Sequence, residues 1–440
     1  MSLKHWLKQH QHVGGVRQAL DTAQAAWGAV RVRRADADLP AVAGGPPVRL
    51  IPLPPPRPMT RPERRALARA GRMQGTSFFD CDVVRRFEAE LASRWGSQHV
   101  LALSSGTAAL HTALMAAGIG PGHEVIVPVL TYVATALAVR QAGAVPRFAD
   151  IDPQTFNIDP ARIEAAVNER TRAIIPVHMG GLPCDMAAIG RIAERHRLLV
   201  IEDAAHAHGS TLHGRWLGTL GHIGCFSFGA PKSITTGEGG ALMTDDPELA
   251  RRARMAMNLG ECAANGTPSM SLDYFSPETR LDYPMLGWNY RMGVAQASLG
   301  LGQLERFDRI RARRMRNAEE LRAALSDVPG VRVQRVPEGA EPCFYTFPIQ
   351  ITDEAALGRG EVLAGLSREK IDFRLFSNLP LARYPIFGQE GSFPVADEVA
   401  RGFVGLRVDP VLGAREIADT ALALRRLLAW GRERRASGHA

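Results

Sequence analysis

Short apolar runs alternate with longer segments of helical periodicity from about residue 60 onward. Apolar runs of this length bounded by turn residues predict buried strands, here at 100–103, 124–127, 173–177, 198–201 and 225–228. The apolar segment 107–117 stops at Gly118, which predicts a helix directly after the first strand. Continuously apolar strands separated by helices are typical of a largely parallel sheet covered on both faces. The pattern therefore predicts an α/β fold.

The same pattern predicts one large domain and one small domain. The large domain spans residues 49–310, and a long helical stretch at 292–325 carries the chain out of it. Residues 311–440 form the predicted small C-terminal α/β domain. Its predicted elements are two strands and a final helix, at 331–336, 344–351 and 414–430.

The N-terminal part carries most of the excess positive charge. Residues 1–48 are rich in Ala, Arg and Gly, and they precede the Pro-dense segment 51–58, which favours an extended spacer. We interpret 1–48 as a basic, Pro-rich extension with a candidate helix at 14–30. The net charge is +8, but residues 1–75 hold 13 Lys and Arg against 4 Asp and Glu. Because nucleic-acid enzymes usually carry the basic surface on the folded body, we expect no nucleic-acid partner.

Several classes of protein and site are excluded by the sequence. No apolar run approaches the roughly 18–20 residues of a membrane span, and the N-terminal MSLKHWLKQHQH lacks the apolar region of a secretory signal. The five cysteines are odd in number and contain no CxxC pair, which argues against a disulfide framework or a zinc site. His178, His208 and His222 also lack ligand spacing. We expect a cytoplasmic protein without a metal or a membrane partner.

Lysine is rare in this chain, and one lysine stands in an unusual segment. Of the 53 cationic side chains only four are Lys, namely Lys4, Lys8, Lys232 and Lys370. Lys232 lies in FSFGAPKSITTGEGG (226–240), which is crowded with small and hydroxyl-bearing residues. Arg cannot form a Schiff base, whereas Lys can once its amine is deprotonated. The segment therefore favours amine chemistry over the alternative of a surface lysine.

Three further segments follow predicted strands or precede the long helical stretch. In Ser104–Leu110, Gly106 permits close backbone approach, and the amides of Thr107 and Ala108 would form an anion site at a helix N-terminus. The alternative is an ordinary turn with a capping Ser. Asp203 follows the strand at 198–201, where its carboxylate could hold a protonated ring nitrogen or merely cap the next turn. The third segment, GWNYRMG (287–293), indicates nothing specific by itself.

Taken in order, these segments resemble one family. The succession SSGTAAL, LTYVATA, EDAAHAHG, FSFGAPKSITTGEGG and GWNYRM is similar to the DegT/DnrJ/EryC1/StrS family. Its members are pyridoxal-phosphate (PLP) aminotransferases of sugars and cyclitols with the type I, aspartate-aminotransferase fold. The resemblance spans about residues 50–430, and the lysine segment, with Ser227 five residues before Lys232, is its most specific motif. It implies a large PLP-binding domain with a mostly parallel sheet sandwiched by helices, plus a smaller C-terminal α/β domain.

The resemblance implies a role for each matched residue. Lys232 would form the Schiff base with PLP and then carry a proton between the Cα of the amino donor and C4′ of the cofactor. Asp203 would pair with the pyridinium nitrogen, and His206, where the family usually has Gln, would lie beside the 3′-oxygen. The other implied cofactor contacts are ring stacking by Tyr132 and phosphate binding by Gly106, Thr107 and Ser227.

The resemblance also implies an assembly and a reaction. Asn289 would reach the phosphate in the neighbouring subunit, which implies a homodimer with shared active sites. Glutamate or glutamine would donate an amino group to a nucleotide-linked keto-sugar or a keto-cyclitol, in the biosynthesis of an amino sugar, an aminocyclitol or a related natural product. His206 in place of Gln resembles the branch that acts on keto-cyclitols or makes an aminohydroxybenzoate. Cys343 and Phe344 fall near Tyr345, where many relatives contact the sugar.

Three alternatives remain open from the sequence. A PLP sugar dehydratase of the same fold replaces the Schiff-base lysine by His, and Lys232 argues against it. A regulatory or DNA-binding protein could keep the PLP fold and use the basic extension, which has no counterpart in the family pattern. A Rossmann oxidoreductase is disfavoured because no GxGxxG follows the first strand.

Overall fold

The computed structural model describes residues 38–55, 59–71, 82–263, 266–268, 280–374, 379–388 and 391–438. The candidate helix at 14–30 lies outside these residues. The strands are, in chain order, β1 His99–Leu103, β2 Glu124–Pro128, β3 Val145–Ala149, β4 Thr171–Ile174, β5 Leu199–Asp203, β6 Thr211–Leu212, β7 Arg215–Trp216, β8 Ile223–Ser227, β9 Gly240–Thr244, β10 Cys262–Ala263, β11 Leu281–Asp282, β12 Val331–Val333, β13 Ala340–Glu341, β14 Phe347–Ile351, β15 Phe373–Arg374 and β16 Phe403–Leu406. The α-helices are α1 Arg61–Ala70, α2 Asp82–Trp95, α3 Gly106–Ala116, α4 Ala134–Gln141, α5 Pro160–Ala166, α6 Met186–His196, α7 Pro247–Ala256, α8 Val294–Leu304, α9 Phe307–Leu325, α10 Arg359–Arg368, α11 Pro394–Gly402 and α12 Ala414–Ala436.

A seven-stranded sheet in the order β1-β9-β8-β5-β4-β2-β3 forms the centre of the large domain. Strand β9 runs antiparallel to both of its neighbours, and the other pairs in the sheet are parallel. Alternate residues of a strand point to opposite faces, so Leu101 and Leu103 pack into one hydrophobic core while Val100 and Ala102 pack into another. The mostly parallel sheet with apolar contacts on both faces is confirmed.

Two strands of this sheet are absent from the pattern-based prediction. β3 lies at the sheet edge and contains Pro146 and Arg147, which interrupt an apolar run but are tolerated where one side of a strand is unpaired. β9 begins with Gly240 and follows Gly237 and Gly239, so the sequence places its start in the glycine-rich Lys232 segment rather than in a strand.

The predicted helical stretch 292–325 consists of two helices, α8 and α9, separated by Glu305 and Arg306. Arg306 leaves the helical conformation with φ −114°. Its guanidinium donates to Thr60 Oγ1 (2.6 Å) and lies 3.3 Å from the carboxylate of Glu63. Glu63 is fully buried and also accepts from Gln303 (2.6 Å), so the break places a cation beside a buried carboxylate.

The small domain has a four-stranded antiparallel sheet in the order β12-β14-β16-β15, packed against α9, α10 and α12. Residues 38–55 pack against this domain, although the predicted boundaries divide them between the extension and the large domain. The buried carboxylate of Glu369 accepts from the N–H groups of Ala41 (2.8 Å) and Val48 (2.6 Å). Arg49 pairs with Asp419 (2.5 Å), and Leu53 joins the core of the small domain.

Candidate active site

The candidate residues meet at one edge of the large sheet. The carboxyl ends of parallel strands lie at the same edge, where ligands bind in folds of this class. The turn Ser104–Gly106 follows β1, Asp203 ends β5, and Ser227 ends β8. Lys232 lies five residues beyond Ser227. The structure thus brings three separate sequence segments together.

The turn after β1 makes a close backbone approach to the end of β8. A Cβ on Gly106 would lie 2.6 Å from Cβ of Ser227, and a Cβ on Gly240 would lie 2.3 Å from the carbonyl oxygen of Ser105. Only glycine fits at both positions. Helix α3 therefore begins beside the Ser227 hydroxyl, and the N–H groups of Gly106 and Thr107 lie at its positive end.

One amide assigned to the anion site has another partner. The N–H of Ala108 donates to the hydroxyl of Ser105 (3.1 Å), which caps α3. The phosphate interpretation and the capping interpretation of this turn are therefore compatible. Ser105 caps the helix through Ala108, and Gly106, Thr107 and Ser227 line the adjacent space.

Asp203 is buried at the end of β5 and is held in one orientation. Its Oδ2 accepts from Thr135 Oγ1 (2.8 Å), and its Oδ1 accepts from the N–H of Ala205 (3.2 Å). Burial raises the pKa of the Asp203 carboxyl above its ordinary value, although these hydrogen bonds and the Lys232 cation oppose the rise. A positive partner at this carboxylate would remove the cost of burying the charge.

The Lys232 loop is closed by hydrogen bonds of its own residues. The N–H of Lys232 donates to the carbonyl of Gly229 (2.9 Å), and Thr235 Oγ1 donates to the carbonyl of Phe228 (3.1 Å). The half-buried side chain extends over the ring of Tyr345, with Nζ 4.7 Å from the ring centroid. The loop thus holds the amine over an aromatic face contributed from the segment before β14.

His206 stacks on the same tyrosine. The two ring centroids are 4.7 Å apart and the planes are inclined by 15°. Burial lowers the pKa of His206 well below its ordinary value, and the cations of Lys232 and Arg374 lower it further. His206 is therefore neutral at physiological pH, so one ring nitrogen carries a proton and the other can accept a hydrogen bond.

Tyr132 and Asn289 are exposed, in contrast to the other candidates. Tyr132 has an exposed fraction of 67% and lies in the turn before α4, three residues from the Thr135 hydroxyl that binds Asp203. The backbone of Asn289 pairs with that of Asn258, and the next residue, Tyr290, accepts from the N–H of Ser104 (2.7 Å). The GWNYRM segment therefore lies beside the turn that begins α3.

Behind Asp203, the neighbouring carboxylate of Glu202 is fully buried and accepts four hydrogen bonds. The donors are His178 Nε2 (2.8 Å) and the N–H groups of Gly218, Leu220 and Gly221 (2.8, 2.6 and 2.6 Å). The N–H of Cys184 donates to His178 Nδ1 (3.2 Å), which fixes the proton of the ring on Nε2. Burial raises the pKa of Glu202, but the hydrogen bonds outweigh burial and hold it below its ordinary value.

We expect Glu202→Gln to destabilise the protein by about 3 kcal/mol, because an amide nitrogen would replace an acceptor facing N–H donors. Glu169→Gln, at an exposed position, is the matched control. Because the pKa of Glu202 is lowered in the folded protein, its ionised carboxylate stabilises the fold at pH values above the ordinary pKa of 4.5. This stabilisation is lost as the pH falls through the pKa of the folded state. Thermal unfolding should show a difference at pH 7 that narrows in acid. Equal midpoints for wild type and Glu202→Gln at pH 7 would contradict the assignment.

Sequence reasoning missed Thr135 and Arg374. Thr135 is part of the quoted LTYVATA segment, so its spacing of three residues from Tyr132 is a usable signal. Arg374 lies in β15, and its guanidinium Cζ is 5.2 Å from the Tyr345 ring centroid. One Arg among 49 carries no local signal, because only the fold brings β15 to the ring.

The described residues were expected to hold neither a metal site nor a membrane-spanning helix. They contain no group of three or more His, Cys, Asp or Glu side chains arranged to hold a metal. Within the described part of the chain, no helix combines the length and apolar character needed to cross a membrane.

Residues 63–425 match the model of the DegT/DnrJ/EryC1/StrS aminotransferase family. The GDP-perosamine synthase of Caulobacter vibrioides is 42% identical over 290 residues, which cover 66% of this chain and 74% of that protein. The L-glutamine:2-deoxy-scyllo-inosose aminotransferase of Streptomyces kanamyceticus is 36% identical over 322 residues, 72% of each protein. The solved structure of DesI in the presence of its TDP-sugar product superposes with a TM-score of 0.79 at 33% identity, covering 92% of this chain and 100% of that one.

Proposed function

Because the chain belongs to the DegT/DnrJ/EryC1/StrS aminotransferase family and is a PLP-dependent aminotransferase, we propose that it moves an amino group from glutamate or glutamine to a keto-sugar or a keto-cyclitol. The observation that carries the proposal is the placement of Lys232 Nζ over Tyr345, near the buried Asp203 at the end of β5. The names of two relatives support both acceptor classes, since one is a GDP-perosamine synthase and the other an L-glutamine:2-deoxy-scyllo-inosose aminotransferase. A cytoplasmic location stays a prediction.

The residues at the sheet edge fit PLP. A dianionic phosphate suits the N-terminus of α3 beside Ser227, where the backbone approach leaves no room for a Cβ on Gly106. A protonated pyridine nitrogen suits the Asp203 carboxylate, whose pKa burial has raised. PLP, when bound, supplies an electron sink for the bond broken at the donor carbon.

In this proposal each residue of the chain has one task. Gly106, Thr107 and Ser227 bind the phosphate and fix the position of the ring. The Asp203 carboxylate, oriented by Thr135, keeps a proton on the ring nitrogen. Lys232 Nζ accepts the proton from the donor Cα and returns it, since it is the amine held over the site. His206 would lie beside the 3′-oxygen of PLP, and Tyr132 would stack on the face of the PLP ring.

A donor and acceptor screen tests the proposal. The purified holoenzyme is mixed with L-glutamate or L-glutamine, and the absorbance of the cofactor is followed as it passes from the aldehyde form to the amine form. Keto-sugar nucleotides and keto-cyclitols are then added to the amine form. We expect a spectral change with at least one donor and its reversal by one acceptor class. No change with either donor would overturn the proposed reaction.

We further propose a homodimer in which the site is completed across the interface. The segment around Asn289 exposes large apolar side chains, with exposed fractions of 49% for Leu259, 58% for Tyr283 and 76% for Leu286. Exposed apolar groups clustered in one region favour burial against another protein surface. The exposed Asn289 lies among them, which supports a contact with the partner's cofactor.

A mixed dimer of a Lys232→Ala subunit and an Asn289→Ala subunit tests this arrangement. If Asn289 serves the partner's site, one site of the mixed dimer carries both defects and the other carries neither. Activity should then recover to about half that of wild type, although each parent homodimer is impaired. Subunit exchange is verified with affinity tags of two kinds. Activity no higher than that of the unmixed parents, despite verified exchange, would place Asn289 in its own protomer's site.

A further inference from the structure

Arg407 is buried in the small domain, and all three of its guanidinium nitrogens donate hydrogen bonds. Nε donates to Oδ2 of Asp409 (2.8 Å), Nη1 donates to Asp372 (3.0 Å), and Nη2 donates to the carbonyl of Pro54 (2.9 Å). A planar guanidinium with three partners in different directions is held in one orientation. Arg407 is therefore a fixed cation inside the small domain.

Pro54 belongs to the N-terminal segment 38–55, which precedes the residues that match the family model. That segment is held on the small domain by the buried carboxylate of Glu369, which accepts from two of its N–H groups (2.8 and 2.6 Å). A carbonyl on a segment anchored in this way is a rigid acceptor for Arg407. The segment thus takes part in fixing Arg407, a role that its composition did not indicate.

Asp409 lies between Arg407 and a second guanidinium. The buried carboxylate accepts from Arg407 at Oδ2, whereas its Oδ1 lies 3.7 Å from Nη2 of Arg374. That distance is longer than a hydrogen bond, and Oδ1 has no hydrogen-bond donor among the described residues. Burial raises the pKa of Asp409, but the cations of Arg314, Arg407 and Arg374 outweigh burial and hold it below its ordinary value. Asp409 is therefore ionised at neutral pH and attracts Arg374 without bonding to it.

Arg374 lies at the candidate active site. Its Cζ is 5.2 Å from the centroid of Tyr345, the ring over which Lys232 extends its Nζ. Its Nε and Nη2 are buried, and neither has a hydrogen-bond partner in the described part of the chain. A guanidinium with unused buried donors is stabilised by bonding to a neighbouring carboxylate. The separation of Arg374 from Asp409 therefore depends on what holds Asp409 in place.

We infer that Arg407 is a positioning residue that holds Asp409 back from Arg374. The Arg374 guanidinium then stays beside Tyr345, where it faces the proposed active site. Arg407 occupies Oδ2 of Asp409 and fixes the plane of the carboxylate. Without Arg407 the carboxylate is free to turn, and a direct bond would draw Arg374 away from the ring. The inference rests on the proposed function, because it concerns a residue beside the site of amino transfer.

The test compares three variants of the PLP-loaded enzyme. Arg407→Gln removes the cation that occupies Asp409, and Arg407→Lys keeps the charge. The double variant Arg407→Gln/Asp409→Asn also removes the charge that attracts Arg374. Arg383→Gln is the matched control, because it removes an exposed arginine of the small domain that pairs with Asp397.

Two measurements are made on each variant. Crystal structures give the distance between Nη2 of Arg374 and the side chain at position 409, and its position relative to Tyr345. Half-saturation and maximal rate are measured in separate half-reactions, with the donor and the acceptor that react in the screen described above. Retained cofactor absorbance and an unchanged circular dichroism spectrum confirm that a variant is folded.

We expect the distance from Arg374 to Asp409 to shorten from 3.7 Å to hydrogen-bond length in Arg407→Gln. Half-saturation by at least one substrate should rise about 10-fold, the effect of one charge-assisted hydrogen bond, while the maximal rate changes by less than about 3-fold. Arg407→Lys should fall between wild type and Arg407→Gln, and Arg383→Gln should match wild type. The double variant should regain most of the lost affinity, because an amide carries no charge to attract Arg374.

Three results would overturn the role of Arg407 while leaving the proposed function intact. The first is an Arg374 side chain that stays beside Tyr345 in Arg407→Gln or, if that variant does not fold, an unchanged distance in Arg407→Lys. The second is half-saturation within about 2-fold of wild type for both substrates. The third is a double variant no better than Arg407→Gln, which would make Arg407 a residue of small-domain stability alone. Failure of the wild-type enzyme to react with either donor would instead overturn the proposed function itself.

Discussion

Lys232→Arg should lower the rate of amino transfer by about 10⁴-fold or more, because the replacement removes both the amine that bonds the cofactor and the base that moves the donor proton. The fold should be unaffected, since the side chain is half-buried in a surface loop and the positive charge over Tyr345 is kept. The measurement is the donor half-reaction in a single turnover, together with thermal unfolding of the variant.

Lys370→Arg is the matched control for this prediction. Lys370 is the one other lysine beyond residue 8, and it lies at the end of α10 in the small domain. Borohydride reduction of the wild-type holoenzyme should attach the cofactor to a single peptide that contains Lys232. A labelled peptide containing Lys370, or a Lys232→Arg enzyme with near-normal turnover, would contradict the assignment.

The fold could be predicted largely from apolar runs because the sheet is buried on both faces. Strands such as β2 and β5 each contain a run of three consecutive apolar residues that are buried or nearly so, and these runs stand out in the sequence. The edge strand β3 is half-exposed and contains Pro146 and Arg147, which hide it. The break between α8 and α9 depends on Arg306 meeting Glu63, a contact between residues more than 200 positions apart. A local pattern of apolar and polar residues cannot predict a contact between residues so far apart in the chain.

The candidate site could be predicted where chemistry is concentrated in a short segment. Lys232 stands out because lysine is rare and its loop is rich in small residues, and Asp203 stands out because it follows the apolar run of its strand. Their assigned roles remain predictions that the variants described here test. Tyr345 and Arg374 come from the small domain, and their meeting with Lys232 is visible only in the folded chain. A sequence pattern can therefore predict functional residues that share one segment, but it does not show which residues of a second domain will lie beside them.

Asp203→Asn should lower transamination by roughly 10²-fold or more while the enzyme still binds PLP. An amide cannot supply the negative charge that keeps the ring nitrogen protonated, and loss of one preorganised electrostatic contact has this magnitude. The phosphate contacts of Gly106, Thr107 and Ser227 remain, so saturating PLP should still fill the site. Asp353→Asn, at an exposed position, is the control for the loss of one carboxylate. Rates of the donor half-reaction at saturating PLP give the comparison.

The same substitution should have the opposite effect on the protein without cofactor. Burial raises the pKa of Asp203, so the ionised carboxylate costs stability in the apoprotein at neutral pH. This cost is absent well below the ordinary pKa of 3.8, grows as pH rises from there to the raised pKa of the folded state, and is constant above it. The Asp203→Asn apoprotein should therefore be at least as stable as wild type at pH 7, whereas PLP should stabilise wild type more than the variant. Thermal unfolding with and without PLP measures both effects. Equal stabilisation of the two proteins by PLP, with a near-normal rate for the variant, would show that Asp203 only caps the turn after β5.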